Sequence, residues 1–264
     1  MNMESVTHCP SLAFQFFVFV WPGQLERGIE LEQLLLAEGE EAIVIASGVP
    51  EGPNRWVHLS DDAYFGTQFA RCLQMADCDV LVHIQADATI ADMPKFIGRM
   101  KSAFSRGDIA IWSPDVDYTF YRTSLVRAPS RRSCESGHPL PKHLVPVLNT
   151  DCTCWALRSD VVAPLRRYCR PDWNLGWGWD SLAAAIAWTG GSLVVRDVGI
   201  VVSHPRGTGY DSAKAETEFV RVKSDLPASI SAYINVAESL IVARYRRSRY
   251  WLRDRIRSRM PMIK

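Results

Sequence analysis

The segment that most constrains the fold runs from Asp79 to Ala88, because a run of apolar and β-branched residues there ends abruptly in polar ones. Helical patterns precede and follow it, which favours a central strand of a parallel sheet that is covered on both faces. Ligands of open α/β sheets bind at the carboxyl ends of such strands. Gln85, Asp87 and Thr89 are therefore predicted to lie at a ligand site. The alternative is that Asp87 only caps the following helix.

Short apolar runs alternate with amphipathic segments along the first half of the chain. Strands are predicted at residues 14–20, 41–46, 56–59, 79–88 and 108–112, with helices around residues 29–38, 60–76 and 91–104. This alternation is typical of α/β proteins. We therefore predict a Rossmann-like, mostly parallel central sheet that is flanked by helices.

The alternation breaks between Ser113 and Asn149, a stretch with five prolines and no sustained periodicity before Val145. A loop of this length in a compact domain is usually functional. Beyond it, strands are predicted at residues 152–157, 192–196 and 199–202, and helices at residues 158–170 and 181–188. The first 210 residues are predicted to form one domain, followed by a basic helical extension over residues 211–264.

The charge of the chain is concentrated at its C-terminal end. The formal net charge is +1, but residues 240–264 hold nine Lys or Arg and only Asp254 as an acid, a local charge of +8 (9 − 1). The remaining residues carry about −7 (1 − 8). We therefore expect the body not to bind nucleic acid, and the C-terminal extension to suit an anionic surface.

The cysteine pattern favours a reducing compartment, because seven cysteines are scattered without a C-x-x-C pair. Strand alternation would place Cys152 and Cys154 on one face, as small buried apolar side chains. A zinc site is the less favoured alternative. The apolar run Leu12–Trp21 is too short to span a membrane, and no Lys or Arg precedes it. Cytoplasmic residence is expected.

A second informative stretch, Asp172–Asp180, alternates glycine with tryptophan just before an Ala-rich helix. Large amphipathic rings on a loop are costly unless they are packed or stack on a ligand. Trp177 and Trp179 are therefore predicted to contact a sugar or similar acceptor. Asp180 is the carboxylate of this loop, although a role as helix N-cap would also explain it. His204 follows a late strand in the way a ligand would, with a structural histidine as the alternative.

Together, Asp87, Asp180 and His204 resemble the polar residues of nucleotide-sugar glycosyltransferases with the GT-A fold, in particular the inverting family 2-like enzymes. The resemblance covers roughly residues 12–210. In that family a D-x-D motif after the central strand holds a divalent metal on the donor diphosphate. Here the matching residues are Gln85-Ala86-Asp87. The resemblance implies Mn²⁺ or Mg²⁺ held by Asp87 and His204, although an amide is a weaker partner for a hard cation than a carboxylate.

The Gly-Trp-Gly-Trp-Asp stretch is similar to the family's W-G-x-(E/D)-D region, which supplies the general base. This implies that Asp180 takes the proton of the attacking acceptor hydroxyl. The family holds its nucleotide at the first two strand ends. The matching residues here are Trp21, Pro22, Gly23 and Ser47, with Ser47 at a position where family members often have Asp. Arg206 would help to stabilise the leaving diphosphate.

The resemblance implies transfer of a sugar from a nucleotide-diphosphate donor, most simply a UDP-sugar, to a glycan or lipid-linked acceptor in polysaccharide or glycolipid biosynthesis. The basic extension suits peripheral attachment to the inner face of the cell membrane. One alternative is a sugar nucleotidyltransferase, although the residues after Trp21 lack the Gly-rich basic loop of those enzymes. The other is a catalytically silent glycan-binding or partner-binding relative, which Gln85 and Ser47 would favour.

Overall fold

The computed structural model describes residues 12–116, 139–205 and 211–246, with side chains up to residue 243. These residues form nine strands and seven α-helices. The strands are β1 (Phe14–Val20), β2 (Ala42–Ser47), β3 (Val57–Leu59), β4 (Val80–Gln85), β5 (Thr89–Ile90), β6 (Ile109–Val116), β7 (Leu144–Pro146), β8 (Cys154–Arg158) and β9 (Leu193–Ser203). The helices are α1 (Leu25–Ala37), α2 (Phe65–Met75), α3 (Met93–Phe104), α4 (Ser159–Leu165), α5 (Trp179–Thr189), α6 (Ser212–Ser224) and α7 (Ala228–Arg246), and a 3₁₀ turn follows α4 at Arg166–Tyr168.

The strands make one sheet in the order β3-β2-β1-β4-β8-β6-β9-β5, and β7 pairs with β9. β1 is parallel to both β2 and β4, β2 is parallel to β3, and β6 is parallel to β9. β8 is antiparallel to its neighbours β4 and β6. The predicted α/β fold with a mostly parallel sheet is confirmed, and β4 lies in the middle of the sheet.

Apolar side chains of β4 are buried on both faces of the sheet, as its unbroken apolar sequence predicts. Val82 belongs to a core cluster that also contains Leu35 of α1 and Phe96 of α3. Leu81 belongs to a second cluster with residues of α2 and α5, including Leu182. The strand is thus held between two helical layers, which fixes where its carboxyl end emerges.

Asp87 does not cap the helix that follows β4. The two-residue strand β5 comes between them, and the N-cap of α3 is Asp92, whose side chain accepts a hydrogen bond from Lys95 N at 3.0 Å. Pro94 lies in the first turn of α3, where a missing N–H costs little. The capping interpretation of Asp87 is therefore wrong.

The predicted loop from Ser113 to Asn149 is shorter than expected at both ends. β6 continues to Val116, and β7 forms before Asn149, while residues 117–138 lie outside the described part of the chain. The two predicted strand pieces after Ser192 are one strand, β9. A register shift opposite Pro114 and Asp115 of β6 accommodates the intervening residues of β9 as a bulge.

Two helices follow residue 210. α6 lies within the predicted helical extension, and three of its four buried residues are apolar, the fourth being Glu218. α7 buries Ile230, Ile234 and Ala237, which recur at helical spacing, but leaves Leu240 47% exposed. Both helices contribute to the second core cluster of the sheet body. The domain boundary at residue 210 stays a prediction. None of the helices in the described residues is long and apolar enough to cross a membrane.

The prediction that Cys152 and Cys154 share a face is wrong. Cys154 lies in the first core cluster, whereas Cys152 packs against the second. β8 begins only at Cys154, so the strand alternation does not extend back to Cys152. Both thiols are free, and burial is the main cause that raises the pKa of each.

Candidate active site

The predicted site residues gather at one edge of the sheet, where β1, β2, β4 and β9 end and the antiparallel β8 begins. Ala86 N donates to the carbonyl of Phe19 at 2.9 Å, which joins the ends of β4 and β1. Gln85 N donates to the carbonyl of Thr153 at 2.9 Å, which joins the end of β4 to the segment before β8. Side chains that follow these strands therefore share one region of the surface.

Asp87 and His204 are brought together by the pairing of β5 with β9. Thr89 lies opposite Ser203 in that pair, so the residues flanking the two strands face each other. His204 Nε2 is 3.3 Å from Asp87 Oδ1, and the two side chains are 16% and 15% exposed. Asp87 Oδ1 is buried and has no hydrogen-bond partner among the described residues. An unsatisfied carboxylate oxygen beside an imidazole nitrogen is a donor set that suits a cation.

The donor set for a cation here is small. No group of three or more His, Cys, Asp or Glu side chains within residues 12–116, 139–205 and 211–243 is arranged to hold a metal. The only side chains described at this point that could hold a cation are thus the pair Asp87 and His204, with the partly buried amide of Gln85 two residues before Asp87. Position 85, which the resemblance matches to the first acid of a D-x-D motif, thus carries a neutral group at the end of β4.

Arg27 adds a cation to this region that the sequence did not predict. It lies in α1, and its NH2 atom is 3.3 Å from both the carbonyl of Ala88 and Oγ1 of Thr89. It therefore holds the turn that follows Asp87 through hydrogen bonds. It also forms an ion pair with Glu30. The sequence placed Arg27 in the loop before the first predicted helix, whereas α1 begins at Leu25 and carries it. Arg206 lies outside the described residues.

The loops after β1 and β2 touch each other. A Cβ added to Gly48 would lie 3.1 Å from Cγ of Pro22, and Gly48 has φ +62°. Trp21 is partly buried against the second core cluster, and Pro22 and Gly23 are exposed. Ser47 is 1% exposed, and its Oγ has no hydrogen-bond partner among the described residues. The four residues predicted to hold a nucleotide are thus adjacent, and one of them offers an unsatisfied hydroxyl.

Asp180 is the second residue of α5 and is 6% exposed. The N-cap of α5 is Gly178, with φ +90°, so the interpretation of Asp180 as an N-cap is wrong. Its Oδ1 accepts from Ser181 N at 2.8 Å, and its Oδ2 accepts from Asn149 Nδ2 at 3.5 Å. The carboxylate is thus oriented by hydrogen bonds on both oxygens.

Asp151 is a second buried carboxylate in this region. It is 7% exposed, and its Oδ1 accepts from Thr153 N at 2.7 Å. Burial, together with the nearby charges of Asp180 and Asp151, raises the pKa of the Cys152 thiol. Asp180 and Asp151 therefore both lie close to Cys152, one residue before the hydrogen bond that ties this segment to Gln85. Sequence reasoning missed Asp151, because Asn-Thr-Asp before a strand reads as a turn.

The two predicted acceptor-binding tryptophans have different positions. Trp179 is 1% exposed, and its ring stacks on Trp173 with centroids 3.9 Å apart. It is a core side chain, so its predicted contact with an acceptor is wrong for this structure. Trp177 is 36% exposed, and its main-chain carbonyl accepts from Trp173 Nε1 at 2.8 Å. Only Trp177 of the two presents much ring surface to solvent.

The glycines of the tryptophan-rich loop allow very close packing. A Cβ on Gly66 of α2 would lie 2.0 Å from the carbonyl oxygen of Trp173, and one on Gly178 would lie 2.2 Å from the Phe219 ring of α6. Leu175 N also donates to Glu218 Oε2 of α6 at 2.8 Å. The loop that carries Trp177 and leads to Asp180 is therefore closely packed between α2 and α6.

His83, on β4 below the site, is fully buried among the rings of Phe19, Phe65 and Phe69, the closest centroid being 4.1 Å away. Burial lowers the pKa of His83 to about 3. The imidazole is therefore neutral at physiological pH, and a core role explains it.

This burial predicts a pH-dependent stability. Below about pH 6.5 His83 becomes protonated in the unfolded chain, whereas in the folded chain it stays neutral down to about pH 3. The free energy of unfolding therefore decreases as the pH is lowered through this window. Between pH 7 and pH 5 the loss from this group is about 2 kcal/mol. Urea denaturation of the wild type and of His83→Leu at both pH values measures it. We expect the variant to lose less stability; an equal loss in both proteins would contradict the prediction.

No protein-family model and no curated protein matches the sequence. Among solved structures, GalNAc-T7 with UDP, GalNAc and Mn²⁺ superimposes with a TM-score of 0.54 at 11% identity, over 81% of this chain and 48% of that chain. This chain thus spans about half the length of that protein. Glucosyl-3-phosphoglycerate synthase from Mycobacterium tuberculosis superimposes with a TM-score of 0.50 at 14% identity. The match covers 84% of this chain and 80% of that one in its complex with Mn²⁺, UDP-glucose and phosphoglyceric acid. The same synthase with Mg²⁺ and UDP also gives 0.50 at 14% identity, over 81% of each chain. With the sheet order and the position of β4 described above, these similarities establish that the chain has the GT-A fold of nucleotide-sugar glycosyltransferases.

Proposed function

We propose that the protein is an inverting glycosyltransferase that uses a nucleotide-diphosphate sugar, with a UDP-sugar as the simplest donor. The observation that carries the proposal is the Asp87–His204 pair at the end of β4, where a buried carboxylate oxygen of Asp87 lies 3.3 Å from Nε2 of His204. Ligands of such sheets bind at this edge. The similar structure of GalNAc-T7 contains UDP and Mn²⁺, and that of glucosyl-3-phosphoglycerate synthase contains UDP and Mg²⁺.

A divalent cation, Mn²⁺ or Mg²⁺, would be held by Asp87 and His204, with Gln85 as a weaker oxygen donor beside them. When bound, it supplies positive charge to the donor diphosphate. Arg27, which donates hydrogen bonds to Ala88 and Thr89 after Asp87, would hold this turn in place. Arg206 is proposed to help to stabilise the diphosphate. Trp21, Pro22, Gly23 and the hydroxyl of Ser47 would hold the nucleotide.

Asp180 is proposed as the general base. Its carboxylate takes the proton of an acceptor hydroxyl as that oxygen bonds to the anomeric carbon and the bond from this carbon to the diphosphate oxygen breaks. Direct displacement at the anomeric carbon inverts its configuration. Hydrogen bonds from Asn149 Nδ2 and Ser181 N orient the carboxylate for this step. UDP leaves with the electron pair.

The acceptor is proposed to be a glycan or lipid-linked sugar of polysaccharide or glycolipid biosynthesis. Trp177 offers a partly exposed ring on which a sugar can stack. Asp151 supplies a carboxylate near Asp180 that can accept hydrogen bonds from sugar hydroxyls. The reaction is placed in the cytoplasm, with the Arg-rich C-terminal extension at the inner face of the membrane.

The proposal is tested by incubating the full chain with UDP-glucose, UDP-galactose and UDP-N-acetylglucosamine plus Mn²⁺ and glycan acceptors, and measuring UDP release and the melting temperature. A donor present at about 100 times its Kd should raise the melting temperature by about 5–10 °C. Glycan binding without release of UDP from any donor would instead support a silent binding protein. Formation of a nucleotide sugar from a sugar phosphate and UTP would identify a nucleotidyltransferase.

A further inference from the structure

An apolar stripe lies on the outer face of α7. It consists of Ala232, Val236, Leu240 and Ala243, which are spaced so that they follow one side of the helix. All four positions are exposed, with Val236 at 60% and Leu240 at 47%. The neighbouring exposed positions Asn235, Ser239 and Val242 are uncharged as well. We call these four residues the outer stripe.

The outer stripe cannot turn inward, because the opposite side of α7 is packed. Ile234 is fully buried in the second core cluster, together with Ile230. Tyr233 Oη donates to the carbonyl of Leu148 at 2.7 Å, and Glu238 pairs with Lys223 of α6 at 3.1 Å. These contacts fix the rotation of the helix. The outer stripe therefore faces away from the body.

The sequence that follows the outer stripe indicates what covers it. From residue 244 to residue 264 there are nine Lys or Arg and one Asp, interspersed with Tyr, Trp, Leu, Ile and Met. An apolar stripe continued by a basic sequence with aromatic residues complements an anionic lipid surface, where apolar side chains enter the acyl boundary and cations meet headgroups. The cations would also attract a nucleic acid, but the apolar side chains of Val236 and Leu240 would find no apolar partner on it.

We propose that the outer stripe is the docking surface of this protein on an anionic bilayer. Tyr233 of α7 donates to the carbonyl of Leu148, and the neighbouring Asn149 donates to Asp180, so the docked helix would be linked to the proposed general base through two hydrogen bonds. Docking would therefore hold the site close to acceptors at the membrane surface. This last step rests on the proposed function, whereas lipid binding by the outer stripe does not.

The experiment is sedimentation of the full chain with vesicles of phosphatidylcholine and phosphatidylglycerol in equal parts. The test variant is Val236→Glu with Leu240→Glu. The matched control is Val220→Glu, which adds a carboxylate at a residue of α6 that is 56% exposed and outside the outer stripe. We expect the double variant to bind these vesicles about tenfold more weakly or worse, since it loses apolar burial and gains repulsion from the lipid. The control should bind as the wild type does.

A third variant, with Arg253, Arg255, Arg257 and Arg259 changed to Glu, separates the outer stripe from the basic extension. Wild-type binding that survives in the double variant but is lost in this third variant would overturn the role of the outer stripe. No sedimentation of the wild type would overturn lipid docking altogether. If the wild type formed a dimer and bound no vesicles, and the double variant were a monomer, the outer stripe would be covered by a second copy of the chain.

The rise in melting temperature caused by UDP with Mn²⁺, measured without vesicles, tests the proposed function separately and should be unchanged in the double variant.

Discussion

Replacement of Asp180 by Asn is expected to lower kcat about 10²- to 10⁴-fold with the donor that gives UDP release, because general-base catalysis contributes that much to such reactions. Asn is close to Asp in size and can keep the contact with Ser181 N through its oxygen. It cannot accept the proton of the acceptor hydroxyl. KM for the donor should change little, since the donor is proposed to be held by the residues around Asp87. Steady-state kinetics with a glycan acceptor measures both constants.

The matched control is Asp160→Asn. Asp160 also lies in the first turn of a helix, α4, but it is exposed and not among the site residues. Its replacement should leave kcat unchanged. If Asp180→Asn and Asp160→Asn had the same kcat as the wild type, the base would have to be another group, and Asp151 would be the next residue to test.

Replacement of Asp87 by Asn should weaken the Mn²⁺-dependent binding of UDP about 100-fold, because even the loss of a partner that only supports a metal ligand typically costs 10- to 100-fold. The reason is local. Asp87 Oδ1 is the unsatisfied oxygen beside His204, and the neighbouring Gln85 cannot replace its charge. Isothermal titration of UDP into the protein with Mn²⁺, and again with EDTA, measures the effect.

Asp77→Asn is the control for this experiment, because Asp77 is exposed and precedes the opposite end of β4. It should bind UDP as the wild type does. The proposed metal role of Asp87 would be refuted if wild-type binding were the same in Mn²⁺ and EDTA, or if Asp87→Asn bound UDP with unchanged affinity in Mn²⁺. If UDP binding by the wild type depended on Mn²⁺ but Asp87→Asn bound UDP with unchanged affinity, the cation would have to be held by other residues.

The strand pattern of this protein could be predicted because its signal is local. β1 matches the predicted range of residues 14–20, and β4 begins one residue after the start and ends three residues before the end of the predicted range 79–88. The antiparallel insertion of β8 between β4 and β6 was not predictable in the same way. It depends on pairing between residues 70 to 78 positions apart, from Ile84 with Cys154 to Val80 with Arg158, and nothing in the composition of β8 indicates its direction.

The site could be predicted only where strand ends alone determine it. Asp87 and His204 follow strands, and their meeting was expected, but it is a two-residue pairing of β5 with β9 that brings them within 3.3 Å. Trp177 and Trp179 looked equivalent in the sequence. Stacking of Trp179 on Trp173 decided that it belongs to the core.

The amino-acid sequence by itself determined the alternation of strands and helices, the carboxylate at the end of the central strand and the concentration of positive charge after residue 240. Each of these is a property of residues close together in the sequence, namely the period of the apolar residues, the residues that end a strand or helix, and the charge. Only the tertiary structure decided that Arg27, Asp151 and Asn149 join the site, that Trp179 does not, and that Leu240 faces outward. Those outcomes depend on contacts between distant segments, and the free energy that selects among such contacts comes from packing the whole core.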